Sequence, residues 1–177
     1  MKFFLYNFIL ILLLPLIISR LIIRSLKDRD YIKNISNRFG IYENETKSNP
    51  VWFHAVSLGE VISSETLIKK ILIDNKVVLS VSTPTGYRQA KKIFGNSLQI
   101  VYAPWDIYFF VNNFLKKFNP KALIIFETEI WPSMIKASSA KKIPIFLTNA
   151  RLSQESNSKY SNICLLYTSD AADEKYR

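Results

Sequence analysis

Carboxylates stand at two junctions where an apolar run gives way to a helical pattern. The first reads His54-Ala55-Val56-Ser57-Leu58-Gly59-Glu60, the second Glu127-Thr128-Glu129-Ile130-Trp131-Pro132. Ser57 followed three residues later by Glu60 is the spacing of a capping box, which satisfies free amides at a helix start. The same spacing also suits a general base projecting from a helix N-terminus into a ligand crevice. That role needs partial burial, because a helix N-terminus by itself lowers a carboxylate's pKa. Glu127 and Glu129 either favour the first turn of the next helix or meet a ligand at the mouth of a sheet. His54, at a strand end, reads first as a hydrogen-bonded core histidine. Ser82-Thr83-Pro84-Thr85-Gly86 can hold a phosphate or sugar on backbone amides, or serve only as cap and turn. Asn149-Ala150-Arg151 puts an amide and a guanidinium at a further junction. Arg151 could clamp a carboxylate or phosphate with both arms, or pair with Glu127 or Glu129.

These groups need elements to hold them. Five short runs read as strands: Val51 to His54, Val77 to Val81, Leu98 to Tyr102, Ala122 to Phe126 and Ile145 to Leu147. Helical stretches follow over Glu60 to Ile73, Tyr87 to Phe94 and Ile107 to Phe118, and one starts near Trp131-Pro132. The strand runs are apolar throughout rather than alternating, the pattern of parallel strands covered on both faces. The fold class is therefore α/β, a Rossmann-like doubly wound parallel sheet with ligands expected beyond the carboxyl ends of its strands.

Ahead of this body, Phe3 to Ser19 is a nearly unbroken apolar run, continued by Leu21-Ile22-Ile23. It is long enough to cross a bilayer if Arg20 snorkels, and it carries no small-x-small cleavage site. It is expected to be an uncleaved, single-pass N-terminal anchor helix. Arg20, Arg24, Lys27, Arg29, Lys33 and Arg38 follow it, which places the globular part on the cytoplasmic side of its membrane and draws it to anionic lipids. The chain's net charge of +10 agrees with an anionic partner. A nucleic-acid partner is disfavoured by the anchor and by the lack of an Arg-rich recognition helix. The lone cysteine among 177 residues excludes an internal disulfide and a cysteine-based metal site. The expected divisions are residues 1–24 as anchor, 25–50 as a basic juxtamembrane segment, 51–163 as the Rossmann-like domain and 164–177 as a tail.

Taken in order, His-Ala-Val-Ser-Leu-Gly-Glu, Thr-Pro-Thr-Gly, Val-Tyr-Ala-Pro-Trp-Asp, Glu-Thr-Glu-Ile-Trp-Pro and Asn-Ala-Arg-Leu-Ser resemble the N-terminal half of a Kdo (3-deoxy-D-manno-octulosonic acid) transferase. Arg38-Phe39-Gly40-Ile41-Tyr42 fits the segment preceding that domain, and the resemblance runs to about Tyr160. It implies the N-terminal, acceptor-binding domain of a glycosyltransferase-B fold. It further implies transfer of Kdo from CMP-Kdo to a lipid A precursor (lipid IVA) in lipopolysaccharide biosynthesis, with inversion and without a metal or other cofactor, and makes the membrane the inner one. Glu60 then matches the base on the acceptor hydroxyl and Glu127 a transition-state stabiliser. Ser57, Gly59, Thr83, Thr85, Gly86, Glu129, Asn149 and Arg151 are candidate substrate contacts, and Arg20, Arg24, Lys27 and Arg29 face the membrane surface.

The resemblance also implies a second Rossmann-like domain carrying the donor site, so the chain alone is expected to be inactive. From Cys164 onward the residues read as the translation of a sequencing adapter rather than as native sequence. A different class of function is a non-catalytic, membrane-tethered module that holds anionic lipid headgroups on the same rim. Simple anion binding would favour cations where Glu60 and Glu127 stand.

Overall fold

The computed structural model describes residues 2–43 and 49–150. Five strands, β1 (Val51–His54), β2 (Val77–Val81), β3 (Gln99–Tyr102), β4 (Ala122–Phe126) and β5 (Ile145–Thr148), form one sheet. Every pairing is parallel and the spatial order is β3-β2-β1-β4-β5. The helices are α1 (Lys2–Ser25), α2 (Leu58–Asp74), α3 (Pro84–Phe94), α4 (Tyr108–Phe118) and α5 (Pro132–Ala140). This is the Rossmann-like α/β arrangement expected of the apolar strand runs.

Successive side chains of a strand point to opposite faces, and here both faces are covered. Phe53, Leu79 and Val81 join Val61 and Ile68 of α2 and Ala90 and Phe94 of α3 in one core. Trp52, Val78, Leu123 and Ile125 join Phe114 and Phe118 of α4 and Met134 of α5 in the other. α3 begins at Pro84, three residues before the predicted start. Proline fits the first turn because its missing N–H has no partner there, and the Thr83 hydroxyl caps the helix by accepting from Gly86 N at 3.1 Å.

The segment after α1 is not a loose basic linker. Two short 3₁₀ helices, Arg29–Tyr31 and Ile35–Phe39, run across the β3 edge of the sheet. Arg38 corrects its place in the surface-charge cluster: it is buried, donates to Ser82 O at 3.0 Å and stacks 4.6 Å from the Tyr102 ring centre. Tyr42 donates to Tyr102 O at 3.1 Å, and Tyr102 returns a bond from its hydroxyl to Asp30 O at 3.1 Å. Gly40 turns this strap at φ +75°, where an added Cβ would run into the carbonyl oxygen of Phe110.

Gly40→Ala is accordingly expected to destabilise the fold by more than the roughly 1–2 kcal/mol of a left-handed non-glycine residue. Gly95, at φ +54° with nothing near its Cβ position, serves as the control that loses only that backbone contribution. Thermal or urea unfolding of the two variants measures the difference.

Candidate functional site

The sheet order places a topological switch between β1 and β4. From β1 the chain crosses to β2 on one side, whereas β4 and β5 extend the sheet on the other. Loops leaving the carboxyl ends of those two strands diverge and leave a crevice, the usual ligand position in this architecture. The loop after β1 carries Ser57, Gly59 and Glu60, and the loop after β4 carries Glu127 and Glu129. The two loops singled out by their carboxylates are therefore the two that flank the crevice.

Glu60 is in the first turn of α2 and only 6% exposed. Its Oε2 accepts from Val56 N at 2.8 Å, while its own amide donates to Ser57 Oγ at a long 3.4 Å. A capping box is thus present in altered form, since the carboxylate takes the amide one residue ahead of the cap. The Ser57 side chain also hydrogen-bonds the carboxyl group. Burial pushes the Glu60 carboxyl above its ordinary range, against the two hydrogen bonds that lower it. The nearby Glu129 and Glu127 carboxylates push it further up. The burial that a basic Glu60 requires is present.

Glu127 ends β4 in a left-handed conformation, φ +62°, with its amide donating to Thr148 O at 2.8 Å. Such a backbone is costly for a non-glycine residue and turns the chain abruptly out of the strand. Glu129 accepts from Trp131 Nε1 at 3.0 Å. Asn149, also left-handed at φ +56°, is exposed after β5, and Arg151 lies outside the described residues. So does the segment from Cys164.

His54 behaves as the core reading predicts. It is fully buried, with Nδ1 2.8 Å from Ser80 Oγ, which also accepts from Trp52 Nε1 at 2.8 Å. Trp52 can only donate, so the Ser80 hydroxyl is shared between the indole and His54, whose imidazole rests one ring nitrogen on it. Burial lowers its pKa to about 3, which keeps the ring neutral and removes it from proton transfer near pH 7. The Trp131 ring packs edge-on against it at 4.8 Å.

The hydroxyl loop is committed to structure. Thr83 Oγ1 accepts from Gly86 N and donates to Val56 O at 3.4 Å, and Thr85 donates to Thr83 at 3.3 Å. A Cβ on Gly86 would stand 3.2 Å from Ser57 C and 3.4 Å from Leu58 N, so glycine is what lets α3 close on the start of α2. Gly59 differs: its nearest neighbour would be Ser57 Oγ at 4.0 Å, with open space otherwise. No packing demand explains the missing side chain, and its absence leaves the approach to the start of α2 clear.

Asp106 was legible only as part of a motif, yet it organises the rim. α5 has no side-chain cap of its own, and Asp106 supplies one by accepting from Ser133 N at 3.0 Å and Met134 N at 2.8 Å. It also accepts from Tyr6 of α1 at 2.8 Å. Burial raises its carboxyl to about 6 despite those three bonds. Among the described residues no group of three or more His, Cys, Asp or Glu side chains is arranged to hold a metal ion.

Comparison with known proteins gives a consistent result. Residues 33–171 match the family model described as 3-deoxy-D-manno-octulosonic-acid transferase (kdotransferase). The 3-deoxy-D-manno-octulosonic acid transferase of Haemophilus influenzae is 33% identical over 165 residues, covering 90% of this chain and 39% of that protein. That of Rickettsia bellii is 30% identical, covering 86% of this chain and 37% of its own length. A bifunctional glycosyltransferase/methyltransferase of Fusobacterium nucleatum is 33% identical over 77% of this chain and 22% of its length. The chain thus spans well under half of each of these relatives.

Two measurements follow. Gly86→Ala should lower the melting temperature, whereas Gly59→Ala should leave it unchanged or raise it, by up to about 1 kcal/mol of helix propensity. The Asp106 carboxyl is raised on folding, so its contribution is fully present below its ordinary 3.8 and is lost as the pH climbs through about 6. Unfolding free energies measured from pH 4 to pH 7 should therefore decline more steeply for the parent chain than for Asp106→Asn.

Proposed function

The chain belongs to the 3-deoxy-D-manno-octulosonic acid transferase family, and from that premise we propose that it forms the acceptor-binding domain of such a glycosyltransferase. The enzyme moves Kdo from CMP-Kdo onto a lipid A precursor. In this reading the Glu60 carboxylate takes the proton of the acceptor hydroxyl as that oxygen attacks the anomeric carbon of Kdo. The bond to CMP breaks on the opposite face and CMP departs with the electron pair, inverting the centre. Positive charge gathers on the sugar ring in the transition state, and the Glu127 carboxylate stabilises it. Gly59 keeps the approach open, and Ser57, Thr83 and Gly86 hold the two helix starts that frame it. Glu129 and Asn149 stand on the same rim, with Arg151 following in sequence. The donor nucleotide binds mainly to the second domain characteristic of the fold, and no cofactor takes part.

The observation that carries this reading is the buried Glu60 with its raised pKa at the β1–β4 switch, facing Glu127 and Glu129. A base works best with a pKa brought toward the working pH, and burial moves a carboxylate that way. The alternative, a tethered module that merely holds anionic headgroups, would place three carboxylates against an anion. The basic residues instead flank α1, where Arg20, Arg24, Lys27 and Arg29 draw the domain to anionic lipids at the cytoplasmic face of the inner membrane. α1 is the attaching element: 23 residues, Phe3–Ser25, are apolar enough for a bilayer and only 6% of the most apolar stretch is buried.

The test is Glu60→Gln in a completed enzyme, residues 1–160 joined to the C-terminal domain of a related Kdo transferase. Glutamine keeps an acceptor for Val56 N but cannot take the hydroxyl proton. Turnover should fall about 10²–10⁴-fold, with unchanged membrane binding and melting temperature. The acid limb of the pH–rate profile, reporting Glu60 protonation above the ordinary glutamate range, should disappear with it. A variant that loses stability but keeps its turnover would return Glu60 to a purely capping role.

A further inference from the structure

We infer that α1 does not cross the membrane but lies flat in the cytoplasmic leaflet, clamped at both ends to the domain. This rests on the cytoplasmic membrane attachment proposed above and replaces the expected single-pass anchor. Length alone permits a crossing, because a helix of this size measures about 36 Å against a hydrocarbon core of about 30 Å. The contacts do not permit one.

Both ends of α1 are held by the same globular body. At its start, Tyr6 donates to Asp106 at 2.8 Å and Asn7 Oδ1 accepts from Tyr108 N at 2.8 Å. Phe3 packs edge-on to Tyr108, and Lys136 Nζ sits 3.9 Å above the Phe3 ring. At its end, Leu21 and Ser25 are buried, and Asp28 just beyond is paired with Arg88 of α3 at 3.0 Å. Between these ends Tyr6, Leu10, Leu14 and Ile17, at helical spacing, line a cavity of about 220 Å³ against Trp105 and Trp131 of the rim. If α1 spanned the bilayer, Asp106, Lys136 and the start of α5 would have to sit in hydrocarbon or on its far side. Buried charges of that kind are rare and costly in lipid.

The opposite face of the helix is built for lipid. Phe4, Phe8, Ile11, Leu12, Leu16 and Ile23 are all more than half exposed, apart from contacts with one another along the helix. This apolar surface continues onto the domain, where Phe109 of α4 is 65% exposed and shares an apolar groove with Phe4 and Phe8. An apolar patch shared between helix and domain marks a surface covered by something. A helix lying in one leaflet covers Phe109 together with Phe4 and Phe8. Arg20 and Arg24, exposed near the end of α1, then meet anionic headgroups in the manner of interfacial helices. The carboxylate crevice, which shares Trp131 with the α1 cavity, comes to rest at headgroup depth.

The experiment uses the full chain with Cys164→Ser and one new cysteine, either Lys2→Cys or Lys69→Cys, expressed in a Gram-negative host. A membrane-impermeant maleimide is applied to spheroplasts and to inverted inner-membrane vesicles. Labelling of both positions from the inverted vesicles alone is expected. Labelling of Lys2→Cys from spheroplasts, with Lys69→Cys labelled only from inverted vesicles, would establish a crossing helix and overturn this inference while leaving the attachment and the catalytic reading intact. Chain recovered in the soluble fraction would overturn the attachment as well. Should headgroups shield Lys2→Cys from both sides, the pair Asn7→Cys with Ser133→Cys decides, their oxygens being 3.5 Å apart in the parent. A disulfide formed when inverted membranes are treated with an added thiol oxidant such as copper–phenanthroline, which takes up the two electrons, supports the clamped helix, and its absence under the same oxidant excludes it. Neither readout depends on Kdo transfer, so failure here is separable from failure of the proposed activity.

Discussion

The crevice exists because a parallel sheet must be covered on both faces. Covering only one would leave either the layer of Trp52, Leu123 and Ile125 or that of Phe53, Leu79 and Val81 in water. Right-handed crossovers resolve this by starting at the centre and winding outward in both directions. Two central strands must then send their chains apart, and the gap at their carboxyl ends is open before any catalytic residue is chosen. Glu60 and Glu127 occupy the two loops adjoining that gap. Their partly desolvated surroundings follow from the helix starts that crowd it, where Gly86 lets α3 close against α2.

A second layer of organisation connects this rim to the N-terminal helix. Asp106 caps α5 and holds Tyr6 with the same carboxyl group, so the start of α5 and the start of α1 share one anchor point. Trp131 stands between, packed on His54 beneath and lining the α1 cavity above. The neutral His54–Ser80–Trp52 chain gives that tryptophan a floor with almost no tendency to ionise near neutrality. The carboxylate rim and the N-terminal helix are therefore fixed relative to one another through a few buried polar groups.

Local chemistry made most of the sheet legible. β1, β2 and β4 coincide with their apolar runs because β-branched and aromatic residues there are bounded by proline, glycine and polar residues. The two carboxylate loops were visible for the same reason, each lying between a strand signal and a helix signal. What escaped were features decided at long range. The cap reading of Thr-Pro-Thr-Gly was available, but that Pro84 already lies inside α3, three residues before the expected start, was not. Arg38 reads as surface charge, and only the placement of Tyr102 and Ser82 more than 40 residues away makes burial favourable. Asp106 has partners 100 residues before it and 27 after, so no window along the chain could have disclosed its work.

That separation has a consequence for how the protein is made. Translation at about 5–20 residues per second leaves α1 without Asp106 for several seconds, and without the α5 end of its dock for longer. During that interval a highly apolar helix is out of the ribosome with nothing of its own chain to cover it. A bilayer is the largest apolar phase such a helix can meet before its own domain exists. Docking is then a capture event, in which the newly folded rim closes onto a helix already made. The order of synthesis thereby has the rim finish folding against a helix that was made long before it.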